Sequence, residues 1–442
     1  MGINNRVIKW LLIFVGIILT DFYFFPLTPA VLPYGNTKMI MAVMSIFLVL
    51  TTHHRNVDTS RTLRLFITMC VFAILVSFCS YITIVVNNTH DYTYVSYIVS
   101  MLVWLGGAYT LVRYLRRIHS SLNLRIITFY LVAMCALQCI SAILISRYPG
   151  FENLVNRLVL GQAEMLEFGD DRMCGISCAF DVAGIRFSAV LVMAFFFLES
   201  TMTDKNIGLV SKALYCLSLM IIAVIGNVIS RTTTVGLVAG VTYVVCQLCF
   251  SSDYVARKEV GKWFSGMLLT GIIVCIGLYN MDFQFRQDIR FGFEGFFSLF
   301  ETGEWKVHSN EMLKGMYNVF PDNLKTWLFG DGLFIDTTKE PWYIGHTYRG
   351  YYMDIDVGYL RYIFYFGVVG LASFIGFLLY SMKVCITQFP YCKTLFYGLM
   401  LTQLVVFCKV STDLFLVFAL CIACGFVCEQ FAIKPEKNEL II

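Results

Sequence analysis

Residues able to do chemistry are sparse in this chain and gather in a few short stretches. The longest runs from Met281 to Val357. It carries Arg286, Arg290, His308, Asp331, His346, Arg349, Asp354 and Asp356, with three of the six tryptophans, Trp305, Trp327 and Trp342. Asp354 and Asp356 alternate with apolar residues and run straight into an apolar segment. A carboxylate in a partly apolar site has a raised pKa and serves as a general base. Asp356 also fits the N-cap of the helix that follows, and one residue can fill both roles. His346 is the usual side chain for proton transfer near neutral pH. Trp327, Trp342 and Tyr348 offer ring faces on which the C–H faces of sugars stack. Asp331 sits in Gly330-Asp331-Gly332, a tight-turn sequence whose glycines permit positive φ.

Arginines at the edges of apolar segments form a second group. Arg231 lies in Ser230-Arg231-Thr232-Thr233 between two apolar runs. Its planar fork suits phosphate oxygens, with Ser230, Thr232 and Thr233 sharing the anion or capping the next helix; alternatively, it is a snorkelling residue at a tight turn. Arg186 follows Asp181 and either pairs with it or binds an anion. Arg286 and Arg290 are four apart and share one face of a helix. They form either a diphosphate clamp or a solvated face paired with Asp282 and Asp288. Lys409 and Asp413 have ion-pair spacing; Lys409 otherwise faces the same cavity. Arg157 and Arg172 read as ordinary surface or salt-bridge residues.

The elements that must hold these groups are set by hydropathy. Of 442 residues, 58% are hydrophobic and only 14% charged, against about 25% charged in soluble domains, and mean hydropathy is +0.72. The expected fold is all-α, a polytopic integral membrane protein. With about 20 apolar residues per crossing, about twelve transmembrane helices are expected: near 10–28, 38–53, 65–86, 94–112, 126–146, 186–203, 213–229, 232–250, 263–280, 358–381, 394–410 and 412–430. The first is read as a retained span with no cleavage site. Residues 1–280 then hold nine spans with a smaller loop near 147–185, residues 281–357 a large loop, and residues 358–442 three spans and a tail. Arginine and lysine crowd alternate short loops, at Arg6 and Lys9, at Arg55, Arg61 and Arg64, at Arg113, Arg116, Arg117 and Arg125, and at Arg257, Lys258 and Lys262. The positive-inside rule therefore puts both termini in the cytoplasm and both large loops, with Arg231, outside it.

Several classes are disfavoured. A net charge of +4 gives no case for nucleic acid. No HExxH or convergent Cys/His spacing appears in the outer loops, so neither metal nor other cofactor is expected. Cys421 and Cys424 fall within a span, and Cys174 and Cys178 are expected as free thiols. No Walker motif supports an ATP-driven pump. Mirrored halves, frequent in secondary transporters, are not evident.

Together these features resemble the O-antigen polymerases and O-antigen ligase-like membrane proteins of bacterial surface polysaccharide assembly. The resemblance rests on the twelve-span layout, the Ser230-Arg231-Thr232 turn, the late outer loop, and Asp356-Val357-Gly358-Tyr359-Leu360-Arg361 leading to Gly367-Val368-Val369-Gly370. It implies a metal-independent GT-C-type glycosyltransferase of the bacterial inner membrane. Its substrates would be undecaprenyl-diphosphate-linked glycans destined for lipopolysaccharide or capsule. Partners would include membrane lipid, a chain-length regulator and a flippase. The implied site has Arg231, Arg286, Arg290 and Arg186 on the diphosphate, Asp356, His346 or Asp354 as base, and Trp342, Trp327 and Tyr348 on the sugars. Ligases of the group carry His-Asn just before the span that follows the big loop. Here that place holds Asp356-Val357, which favours a polymerase over a ligase, with a flippase or transporter of lipid-linked sugars and a purely structural membrane protein as further alternatives.

Overall fold

The computed structural model describes residues 6–51, 59–168, 172–335 and 351–430. Arg55 and the expected tail beyond Gln430 lie outside them. Among the described residues the chain is helical, with only isolated β-bridges such as Pro29–Val159. Among the described residues, eight helices are long and apolar enough to cross a membrane: Val7–Phe24, Arg61–Asn87, Tyr97–Ile118, Leu124–Arg147, Leu209–Ile229, Thr233–Phe250, Tyr254–Met281 and Gly358–Gln388. The other four expected spans fall on the shorter helices Thr37–Thr51, Phe180–Phe196, Lys393–Phe407 and Phe415–Gln430, of 15 to 17 residues. At 1.5 Å per residue such helices reach about 22–26 Å, less than the roughly 30 Å hydrocarbon core.

Two boundaries differ from the sequence expectation, and both bear on function. The helix expected from 186 begins at Phe180, so Asp181 lies in its first turn. The helix expected to reach 410 ends at Phe407, and residues 408–414 are non-helical. Helical i,i+4 geometry therefore does not hold between Lys409 and Asp413.

Phe180–Phe196 is one of the most deeply buried helices. Its residues from Ala183 to Phe195 are all buried, as expected of a helix apolar all round. It packs closely along Thr233–Phe250 because glycines face it. A Cβ on Gly236 would come within 2.2 Å of the Ser188 backbone, and one on Gly240 within 2.2 Å of the Phe195 ring. Small residues four apart are how apolar helices bring their backbones together without a hydrophobic drive between them. The contact also joins chemistry to packing, since Ser188 Oγ donates to the Thr232 carbonyl at 2.8 Å.

The Gly358–Gln388 helix is broken at Phe366 and Gly367, where Gly367 has φ 69°. The break frees carbonyls that would be costly unpaired in an apolar interior. The Gly330-Asp331-Gly332 turn satisfies them. Asp331 N–H donates to the Phe364 carbonyl at 2.6 Å and Gly332 N–H to the Tyr365 carbonyl at 3.0 Å. From the other side, Thr83 Oγ1 donates to the Phe329 carbonyl at 2.6 Å and Asn87 Nδ2 to the Gly330 carbonyl at 3.1 Å. Around the break, Tyr94 packs its ring against Phe334, Tyr362, Tyr365, Phe366 and Phe374. Aromatic pairs of this kind contribute roughly 0.5–1.5 kcal/mol beyond their buried area.

The described part of the polar stretch after Met281 is folded. It forms the short helices Phe283–Gly292, Glu294–Thr302, His308–Met316 and Leu324–Phe329 and the turn Tyr352–Asp354. Ile355, Val357, Leu360 and Phe364 form a small core with Leu313, Met316, Val319 and Tyr352. This core ties the stretch to the start of the Gly358–Gln388 helix.

Candidate functional site

Helix ends converge at one end of the bundle. Thr232 stands just before Thr233–Phe250 without a side-chain cap bond, Asp181 lies in the first turn of Phe180–Phe196, Lys409 follows Lys393–Phe407, and Asp356 precedes Gly358–Gln388. Close packing makes the convergence. A Cβ on Gly184 would reach 2.4 Å from Ser230 Oγ, and one on Gly358 would reach 2.3 Å from the Val410 carbonyl oxygen.

The polar groups form a chain. Lys409 Nζ donates to Thr232 Oγ1 at 3.1 Å and lies 3.8 Å from Asp181 Oδ1. Thr232 Oγ1 donates to the same Asp181 oxygen at 3.2 Å. Arg231 pairs with Glu294, and its guanidinium carbon lies 4.6 Å from the Phe291 ring centroid. Arg172 approaches the same ring at 5.5 Å, so two guanidinium groups sit against one aromatic ring. Burial and Arg172 act against the charge on Arg231, and the Glu294 carboxylate supports it.

Asp356 is bracketed by Ile355 and Val357, both fully buried. Extended backbone sends alternate side chains to opposite faces, so burying the neighbours turns Asp356 toward the polar cluster. Burial raises its pKa from 3.8 to about 7. Asp181 adds to the rise, and Arg361, Lys409 and Arg172 oppose it. Arg361 is itself held firmly. Its guanidinium carbon lies 3.8 Å from the Phe334 centroid and 3.7 Å from that of Tyr351, and Nη1 donates to Ser411 Oγ at 2.8 Å. The centre thus sets four cations, Arg172, Arg231, Arg361 and Lys409, beside the carboxylates Asp181, Asp356 and Glu294. One of those carboxylates titrates near neutrality.

The expected site residues are distributed unevenly. Arg231 and Asp356 are in this cluster. Arg186 lies five positions after Asp181, about 140° around the helix, and is directed elsewhere. It donates from Nη1 to the Phe24 carbonyl, and its guanidinium packs near Phe25 and Trp104. With Lys38 it provides the positive potential at half-buried Asp413. Neither short-range pairing, Arg186 with Asp181 or Lys409 with Asp413, is therefore the one formed. Arg286 and Arg290 do share a face, but it is turned toward Tyr279. Arg286 Nε donates to the Tyr279 carbonyl at 2.9 Å, and Arg290 pairs with Glu301 at 2.8 Å. Asp282 and Asp288 instead pair with Arg147.

Asp354 is exposed, with φ 54°. Asp354-Ile355-Asp356 has D-x-D spelling. Among the described residues no group of three His, Cys, Asp or Glu side chains is placed to hold a metal ion. Trp327 donates from Nε1 to the Pro321 carbonyl at 3.0 Å and stacks on Phe320. His346, Trp342 and Tyr348 lie outside the described residues. The flanking Ile335 and Tyr351 form a bridge beside Arg361. Asp331 accepts from Thr326 Oγ1 at 2.6 Å and braces the turn at the broken helix. Cys174 and Cys178 are buried free thiols.

Sequence reasoning missed Arg172, Asp181, Arg361 and Glu294 as members of the centre. The one available signal was position, since Asp181 and Arg361 stand at the starts of apolar segments and Arg172 in the loop before one.

Fold and centre define a multi-pass helical membrane protein with a cation-rich polar centre at one end of its bundle. Comparison of the chain with protein families, curated proteins and solved structures finds no match.

Proposed function

We propose that the protein is a membrane glycosyltransferase that polymerises undecaprenyl-diphosphate-linked oligosaccharide repeat units into O-antigen or capsular polysaccharide. In this reading all twelve apolar helices cross the bacterial inner membrane, the four short ones included. The polar centre then opens on the extracytoplasmic side. The observation that carries the proposal is placement: Asp356, a half-buried carboxylate, stands amid Arg172, Arg231, Arg361 and Lys409 at one end of an apolar bundle. An amphipathic donor with a diphosphate headgroup and a long isoprenoid tail matches that combination of surfaces.

The chemistry follows from the placement. Arg231 and Arg172 hold the diphosphate, with Lys409 beside them. An acceptor sugar hydroxyl gives its proton to the Asp356 carboxylate as its oxygen attacks the anomeric carbon of the donor. The new C–O bond forms while the bond from that carbon to the diphosphate oxygen breaks. The electron pair leaves with undecaprenyl diphosphate, and the cations stabilise the charge growing there, often the largest catalytic term. Asp181 and Glu294 keep the cations ordered between turnovers.

The test is a deletion strain whose surface polysaccharide is resolved on a gel, complemented by the wild type or by Arg231→Ala. A single repeat unit on the surface, restored to long chains by the wild type and not by Arg231→Ala, is the expected result. Normal chain length in the deletion strain overturns the proposal. Long chains retained on the undecaprenyl carrier identify a ligase, and repeat units left facing the cytoplasm a flippase.

A further inference from the structure

Beside the polar centre, across Glu294, lies a cleft of about 560 Å³ between the Glu294–Thr302 and His308–Met316 helices. That volume is within the roughly 300–1,000 Å³ range of small-molecule sites. Its aromatic surface is Trp305, which is 49% exposed and fixed in place. The indole lies against the bare backbone of Gly295, where a Cβ would come within 2.4 Å of the ring. Its edge meets Phe296 at 5.1 Å between centroids, and the next residue is pinned by Lys306 N–H donating to Ser298 Oγ at 2.9 Å.

The remaining lining is mostly charged, with Glu294, Glu304 and Glu311 against Lys306 and Lys314, beside Val307 and His308. Glu304 pairs with Lys306 at 2.7 Å and Glu311 with Lys314 at 2.6 Å. These pairs are exposed and contribute little to stability, so their carboxylates are open to exchange for other partners. Glu294 faces both ways. One carboxylate oxygen takes Arg231, and the other accepts from His308 N–H at 3.3 Å.

We propose that this cleft is a saccharide subsite of the same centre, in which Trp305 stacks against a pyranose ring and Glu304 and Glu311 accept its hydroxyls, while Glu294 divides it from the anion pocket at Arg231. The inference rests on the polymerase reading, which places a diphosphate at Arg231 and so requires sugar immediately beyond it. An amphipathic sugar ring needs an apolar face and in-plane hydrogen-bond acceptors together, and the cleft presents both. A lipid surface is less well matched, because the wall around Trp305 is ionic. Phe296, Leu299 and Phe300 are exposed on the Glu294–Thr302 helix that forms one wall but do not line the cleft, and they are the part suited to lipid.

The test uses the full chain in lipid nanodiscs and, as probe, single repeat units released by hydrolysis from the host strain's own surface polysaccharide. Saturation-transfer NMR should show binding to the wild type, weakened at least about tenfold by Trp305→Ala and less by Trp305→Phe, which keeps a ring. Phe300→Ala should bind as the wild type does. Thermal unfolding of each variant separates lost binding from lost fold, and Trp305→Phe carries the comparison if Trp305→Ala does not fold. Equal binding by wild type and a folded Trp305 variant overturns the subsite. So does no binding at all, or weakened nanodisc association as the sole effect of both Trp305→Ala and Phe300→Ala. If Arg231→Ala abolishes polymer while Trp305 variants bind normally, the subsite alone fails; if Arg231→Ala leaves polymer intact, the polymerase reading fails.

Discussion

Lys409 Nζ lies 3.8 Å from Asp181 Oδ1, on a helix far earlier in the chain, and not beside Asp413, its fourth neighbour in sequence. The pair stands next to Asp356 and pulls on its proton from both sides, since Asp181 raises the Asp356 pKa and Lys409 lowers it. Removing one partner should therefore move the acid limb of activity in a defined direction. Asp181→Asn removes a negative neighbour and should shift that limb to lower pH. Lys409→Met removes a positive one and should shift it to higher pH. Polymer formation by isolated membranes, followed against pH, reads both, and shifts of the same sign would refute the arrangement.

The base itself sets the wild-type profile. Asp356 titrates at about 7, and only its deprotonated form accepts a proton from the acceptor hydroxyl. Activity should fall about tenfold per pH unit below that value and level off above it. Asp356→Asn should cost about 10²–10⁴-fold at neutral pH while leaving the protein folded. The same shift has a stability consequence of definite sign. The folded state holds this proton where the unfolded chain has lost it, so the contribution of Asp356 to stability declines as pH rises from about 4 to about 7. Asp356→Asn should remove that decline, as thermal unfolding at both ends of the range will show.

The arginines are not equivalent. Arg231→Ala should lower polymer synthesis by about 10²–10³-fold, the usual effect of deleting one donor to a developing oxyanion. Arg172→Ala should act in the same direction. Arg286→Ala and Arg290→Ala should stay near wild-type activity, because those guanidinium groups face Tyr279 and Glu301. Chain-length profiles from complemented deletion strains separate the two sets, and a loss at Arg286 equal to that at Arg231 would contradict the geometry.

The broken helix gives a prediction about stability alone. Gly367 has φ 69°, and a Cβ there would come within 2.1 Å of the Leu328 carbonyl oxygen. Gly367→Ala should destabilise by at least about 1–3 kcal/mol through backbone strain, with the clash adding to it. Gly330→Ala, at φ 73° and 2.4 Å from the Tyr365 carbonyl oxygen, should behave alike. Thr83→Val removes one hydrogen bond to the turn and should cost about 1 kcal/mol. Thermal unfolding in nanodiscs ranks the three.

The sequence by itself determined that the chain is helical and membrane-embedded. Long apolar runs have no other way to satisfy their backbone polar groups in lipid, and each of the twelve expected segments falls on a helix. It also singled out Arg231 and Asp356, because a charged residue at the edge of an apolar run has few places to go. Only the tertiary structure decided their company. Arg186 and Asp181 are near in sequence but face different sides of one helix, and the helix that would have joined Lys409 to Asp413 stops at Phe407. Charge pairing at the centre depends on which helix ends meet. That is fixed by Gly236 and Gly240 lying against Ser188 and Phe195, and by Gly358 lying against Val410. Such contacts join residues distant in the chain through shape rather than spacing, so no local pattern carries them.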